Sequence, residues 1–140
     1  MLIGTYRHSI DAKKRMRMPS KFKCELGTDC IITKGTCGNL LVFSKEQFSA
    51  LYEKMVNLPL FDEEAQKPIR KFLSSAFESE EDAQGRILLP KELVNFAQIT
   101  KNIVFVGVGN RVEIWAEEVW DKESENAETA DFSVLAKFGV

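Results

Sequence analysis

The sequence predicts an α+β chain, mainly β, made of two related modules in tandem, and three observations lead there. The segment Asp11-Ala12-Lys13-Lys14-Arg15-Met16-Arg17-Met18-Pro19 returns 71 residues later as Asp82-Ala83-Gln84-Gly85-Arg86-Ile87-Leu88-Leu89-Pro90. A second block, Gly35 to Phe43 with Phe48, returns as Gly107 to Trp115 with Trp120, now 72 residues on. Short runs around both motifs alternate apolar with polar residues, the period of a half-buried strand. A repeat of about 70 residues is far too long for a solenoid unit and implies a duplicated module.

In chain order, Leu2, Gly4, Tyr6, His8 and Ile10 alternate with Ile3, Thr5, Arg7 and Ser9, which predicts a first strand. After a polar turn, Met16 and Met18 alternate with Arg15 and Arg17, so the two segments are expected to form a hairpin. Because strand side chains change face at every residue, the methionines go inward and the two arginines share the outer face. Asp11 suits the opening of the turn, where its carboxylate accepts backbone N–H groups or orients Arg15. Pro19 and Pro90 stand where a strand yields to a helix, predicting short helices over 19–26 and 90–97. Ile31 to Lys34 with Leu40 to Phe43, and Ile103 to Val106 with Val112 to Trp115, read as strand pairs whose turns hold the glycines.

Between the copies, Ser44-Lys45-Glu46-Gln47 has the form of a capping box, followed by Phe48, Leu51, Tyr52 and Met55 at helical spacing. A second stripe uses Ala65, Ile69, Phe72, Leu73, Ala76 and Phe77; Pro68 interrupts it, which predicts a kink or a start near residue 66. Both stripes are expected to be intramolecular core, with part of their aromatic surface left over for a subunit interface. The acidic segment Glu117 to Asp131 has few apolar positions and is expected to end as a loosely held helix or tail. The resulting division is 1–57 for the first module with its trailing helix, 58–77 for the connecting helix, 78–122 for the second module and 123–140 for the acidic tail or helix.

The 140 residues, 44% of them hydrophobic, suffice to bury a core as one domain or as two modules sharing one. No apolar run approaches the roughly 18 residues of a membrane span, and the first residues lack the pattern of a signal peptide. A cytoplasmic protein without membrane association is therefore expected. Cys24, Cys30 and Cys37 lack CxxC spacing, so reduced thiols are expected rather than disulfides or a metal site. The net charge of −2 hides an asymmetry: residues 1–57 hold 10 Lys and Arg against 5 Asp and Glu, and the remainder 9 against 16. Arg7, Lys13, Lys14, Arg15, Arg17, Lys21 and Lys23 face only Asp11 among the first 23 residues. A local basic patch on an acidic protein points to a polyanion at one surface; the bland alternative is a solvated face.

The paired Asp-Ala-Lys-Lys-Arg and Asp-Ala-Gln-Gly-Arg motifs, Pro19-Ser20-Lys21-Phe22 after the first and Gly85 to Pro90 in the second, resemble the MraZ family of bacterial transcriptional regulators. Val106-Gly107-Val108-Gly109-Asn110-Arg111-Val112-Glu113-Ile114-Trp115 adds to the likeness, which extends from Met1 to about Trp120. The resemblance implies the swapped-hairpin fold of the AbrB and SpoVT DNA-binding proteins, duplicated within one chain as a pseudo-dimer. It implies a ring-shaped homo-oligomer, an octamer by family likeness, associated with the nucleoid. It also implies repression of the division and cell-wall gene cluster through direct repeats in double-stranded promoter DNA.

By the same resemblance Arg15 is the DNA-contacting arginine and Arg86 its counterpart, with Asp11, Asp82 and Gly85 shaping the motif turns. The copies are unequal: Arg17 corresponds to Leu88, Lys14 to Gly85, and Glu78, Glu80 and Glu81 precede the second motif. Copy one is therefore expected to dominate, with Arg15 reading guanine and Arg7, Lys13, Lys14 and Arg17 on phosphates. Lys14 stands where the family has glycine, so a turn that needs positive φ there is strained.

An enzyme is the contrasting class. His8 falls on the inward register and reads as a core histidine, Gly107-Val108-Gly109-Asn110 reads as a turn between strands, and Asp11 and Asp82 each have their own arginine nearby. No catalytic set satisfies the roles required, and no cofactor is expected. The runner-up is a ring-forming interaction scaffold with only nonspecific DNA affinity.

Overall fold

Every strand in the computed structural model, which describes residues 1–140, pairs antiparallel. The elements run β1 (Leu2–Ser9), β2 (Arg15–Met16), α1 (Ser20–Leu26), β3 (Ile31–Lys34), β4 (Leu40–Phe43), α2 (Lys45–Val56), α3 (Glu63–Ser74) and β5 (Phe77–Glu78). They continue through β6 (Ile87–Leu88), α4 (Lys91–Phe96), β7 (Asn102–Gly109), β8 (Val112–Ala116), α5 (Glu117–Ala127) and a 3-10 helix, Phe132–Phe138. Six strands form one sheet in the order β1-β7-β8-β4-β3-β5, while β2 and β6 make a separate two-stranded ribbon. The chain is thus α+β, with a mainly antiparallel sheet and several helices.

The strand pairs β3/β4 and β7/β8 form where alternation predicts them. The first hairpin does not. β1 pairs along its whole length with β7, from Leu2 opposite Gly109 to Ser9 opposite Asn102. Alternation marks a strand but carries no information about its partner, and Gly107 decides this one. A Cβ there would lie 2.5 Å from the backbone nitrogen of Ile3 and 2.6 Å from the carbonyl carbon of Leu2, so only glycine lets β1 approach. Gly107 is therefore a strand residue rather than part of the turn.

The ribbon joins the two repeats: Arg15 lies opposite Leu88, Met16 opposite Ile87, and the Leu89 N–H donates to the Lys14 carbonyl at 3.0 Å. Its inner face, Met16 and Ile87, is buried with Phe22, Leu89, Leu93 and Ile103. Each such side chain contributes about 1.5–3 kcal/mol by leaving water. Pro19 and Pro90 precede α1 and α4 directly, where their missing N–H is not needed.

Three further expectations are corrected. His8 keeps its register, with its ring edge-on to Phe105 at 5.4 Å between centroids, but it is exposed rather than core. β1 is the edge strand, and the cover that α1 supplies through Phe22 meets Tyr6, two residues earlier. Neither α2 nor α3 buries a single residue fully, so their stripes are not core of this chain. Phe48 and Phe72 instead stack at 6.0 Å beside Phe43, half-covered, while Tyr52, Leu58, Leu60 and Phe61 are exposed. Finally, α3 starts ahead of Pro68, because Asp62 caps it by accepting the Ala65 N–H at 3.2 Å.

After β8, α5 begins at once, with Trp120 edge-on to Trp115, and the residues beyond Ser124 are exposed throughout. No helix is long and apolar enough to cross a membrane.

Candidate nucleic-acid interface

The repeated motif folds into the same turn twice. In the first copy one Asp11 carboxylate oxygen, Oδ1, accepts the backbone N–H groups of Lys13 and Arg15, both at 2.9 Å. Its Oδ2 accepts Arg15 Nε–H at 2.6 Å, and the Lys14 N–H closes the turn onto the Asp11 carbonyl at 3.0 Å. In the second copy Asp82 Oδ1 accepts from Gln84 and Arg86 at 2.9 Å, Oδ2 from Arg86 Nε at 2.9 Å, and Gly85 donates to the Asp82 carbonyl at 3.0 Å. The spacing Asp-x-x-x-Arg thus satisfies the turn amides and holds the guanidinium with one side chain. The Arg15 N–H, and next the Arg15 side chain, hold the Asp11 carboxyl below its ordinary range; the backbone N–H groups of Arg86 and Gln84, then the Arg86 side chain, do the same for Asp82.

Because Asp11 and Asp82 engage only Nε, the terminal nitrogens of Arg15 and Arg86 are left for a ligand. The short antiparallel β2/β6 ribbon carries one turn at each of its ends, close enough for Arg15 and Arg86 to line the same hollows. Arg15, Arg17, Arg86, Asp11 and His8 line one open groove of about 400 Å³. Arg15 and Arg86 also line a second concavity of about 280 Å³ with Leu88, Glu80, Glu81 and Asp82. Lys13 is exposed and Lys14 half-buried on the first turn.

The turn conformation is the one that glycine favours. Gly85 has φ +75°, and Lys14 adopts φ +65° at the matching position. A non-glycine residue in this left-handed region is strained by about 1–2 kcal/mol.

Not every basic residue joins the groove. Arg7 lies on β1 and pairs with Asp121 at 3.0 Å and Glu117 at 3.4 Å, so α5 carboxylates balance its charge. Arg17 donates to the Gln84 carbonyl and so braces the second turn, a role that strand alternation gave no hint of. Two of the acidic residues ahead of the second motif are neutralised: Lys23 meets Glu81 at 2.8 Å and Lys45 meets Glu78 at 2.7 Å. Glu80, one of the acidic residues noted ahead of the second motif, stays exposed at the concavity, while Leu88 and His8 line this surface without having been singled out for it by sequence. No group of three His, Cys, Asp or Glu side chains is placed to hold a metal ion.

The family model for the MraZ protein matches residues 1–70 and, a second time, residues 72–137, one match for each copy of the turn. The chain belongs to the MraZ family. The transcriptional regulator MraZ of Thermoanaerobacter sp. (strain X514) is 45% identical over 130 residues, covering 93% of this chain and 91% of its own. The MraZ regulator of Carboxydothermus hydrogenoformans is 42% identical over 137 residues, 98% of this chain and 96% of its own. That of Clostridium acetobutylicum is 41% identical over 137 residues, with 98% and 95% covered. The MraZ likeness thus takes in both motif turns, the ribbon between them and the acidic α5.

Proposed function

We propose that this chain is a cytoplasmic, nucleoid-associated, sequence-specific DNA-binding transcriptional regulator that acts without catalysis or cofactor. The observation that carries the reading is the pair of Asp-braced arginines flanking a two-stranded antiparallel ribbon and lining the same two hollows, each with its terminal nitrogens unspent. A β-ribbon fits the major groove, and arginine bonds the O6 and N7 edge of guanine in bidentate fashion. Arg15 is the principal reader and Arg86 the lesser one. Lys13, Lys14 and Arg17 hold the ribbon to phosphates, each neutralised phosphate steepening the salt dependence by about 0.9 in log–log slope. Arg7, balanced by α5, is the weakest of the proposed contacts.

The interleaved pairing of the repeats supports reading residues 1–57 and 78–122 as two swapped-hairpin modules that form a pseudo-dimer. Likeness to the named regulators supports transcriptional regulation; the finer reading, repression of the division and cell-wall gene cluster through direct repeats in its promoter, follows from the resemblance of the motifs to the family. The half-covered aromatic surface of α2 and α3 supports a ring of identical subunits, octameric by family likeness. Presenting several ribbons to several repeats raises avidity by about 100- to 10,000-fold where geometry permits.

The test is titration of a duplex with guanine-rich direct repeats against a scrambled duplex at two salt concentrations. Selective binding is expected, and Arg15→Ala costs about 1–3 kcal/mol and relaxes selectivity; Arg86→Ala costs less. Equal, wholly salt-driven binding to both duplexes overturns the reading in favour of a ring-forming scaffold with nonspecific DNA affinity, which the exposed α2–α3 surface would then serve.

A further inference from the structure

We infer that Leu88 is a specificity-determining contact, whose side chain packs on the 5-methyl group of a thymine next to the guanine read by Arg15. The inference rests on the DNA-binding reading above and names what that surface prefers.

Leu88 is 60% exposed, although its neighbours Ile87 and Leu89 are each 2% exposed. The pleat of β6 explains why the side chain points outward, but not why it is a leucine, since a polar residue would stand there at no cost to the core. Directly across the ribbon stands Arg15. Cross-strand partners have Cβ atoms about 4.5–5.5 Å apart on the same face, so the two side chains leave the ribbon together. Leu88 is also the single apolar side chain of the concavity otherwise lined by Arg15, Arg86, Glu80, Glu81 and Asp82. The matching position in the first copy is Arg17, a charged residue one of whose nitrogens donates to the Gln84 carbonyl. Leu88 is therefore the one aliphatic tip on a surface otherwise set with the guanidiniums of Arg15, Arg17 and Arg86, and it stands beside Arg15.

Major-groove chemistry supplies a counterpart to each. Guanine presents two acceptors to arginine, and thymine alone among the four bases presents a methyl group. Base pairs follow one another at about 3.4 Å along the strand, a step that cross-strand neighbours span without strain. With Arg15 on guanine, Leu88 lies over the adjoining base pair, where a methyl group removes it from water and a cytosine or purine edge does not.

The experiment selects the preferred duplex from a randomised pool with the full-length protein, then replaces each thymine in turn by deoxyuridine, which lacks only the methyl. The wild-type chain is expected to lose affinity about fourfold at one thymine per repeat, the effect of withdrawing one buried methyl. Leu88→Ala is expected to bind thymine and uracil duplexes equally, and Leu88→Met to keep the preference; matching circular dichroism shows that both fold. No sensitive thymine, no thymine in the selected site, or the same sensitivity in Leu88→Ala overturns the inference while leaving the regulator reading standing. Failure to select any sequence overturns the regulator reading itself, and this inference with it.

Discussion

Asp11 holds Arg15 twice, through the backbone N–H at 2.9 Å and through Nε at 2.6 Å, so one carboxylate sets both the turn and the aim of the guanidinium. Asp82 and Arg86 repeat the arrangement at 2.9 Å for both bonds. An arginine fixed in this way loses less side-chain freedom on binding than a mobile one, and that advantage is independent of its charge.

Asp11→Asn separates aim from charge. The amide keeps the size of the side chain but loses the charge-assisted bond to Nε and adds one positive unit to the local balance. Were attraction to phosphate alone at work, binding would tighten. The expected result is the opposite: weaker binding to the selective duplex, by less than Arg15→Ala causes, with unchanged affinity for scrambled DNA. Competition titration of the two duplexes checks it.

Acid should dismantle the turns. Both aspartates titrate below the ordinary carboxylate range in the folded chain, held there first by the backbone N–H groups of Arg15 and Arg86. Their contribution is complete above the unfolded value of about 3.9 and is lost as pH falls through the lower folded values. Urea unfolding midpoints are therefore expected to hold steady down to about pH 5 and to drop below about pH 4. A doubly substituted chain, Asp11→Asn with Asp82→Asn, should show a shallower drop.

Lys14→Gly exchanges strain for charge. Glycine relieves the left-handed conformation at φ +65°, but its unfolded chain is more flexible, which leaves a net gain of about 0.5–1 kcal/mol in stability. Loss of the cation lowers the slope of log affinity against log salt by about 0.9. Thermal unfolding and a salt titration read the two effects separately and should move in these opposite directions.

How far the sequence disclosed this arrangement follows from what periodicity encodes. Ile31–Lys34 and Leu40–Phe43 were legible as a pair because both runs lie close together and a short glycine-bearing turn brings them against each other. The Asp11–Arg15 turn was legible because an acceptor and a donor at that spacing satisfy each other locally. Partners distant in the chain were not: nothing in Leu2–Ser9 names β7, and the approach rests on the missing side chain of Gly107. Alternation also assigned His8 to the right face without disclosing that α1 stops covering that face at Tyr6. The stripes of α2 and α3 announced surfaces that seek burial, yet amphipathicity does not say whether the cover is this chain or another. At the site, the pairing of Arg15 with Leu88 and the reach of Arg17 to Gln84 both depend on joining the two copies, which local pattern does not describe.

The most direct measurement replaces the guanines of the selected duplex, one at a time, by 7-deazaguanine, which lacks only the N7 acceptor in the major groove. If Arg15 reads guanine from the ribbon, one substitution per repeat weakens the wild-type chain by about tenfold or more and leaves Arg15→Ala indifferent. Indifference of the wild-type chain at every guanine, or an equal loss in Arg15→Ala, would contradict the account.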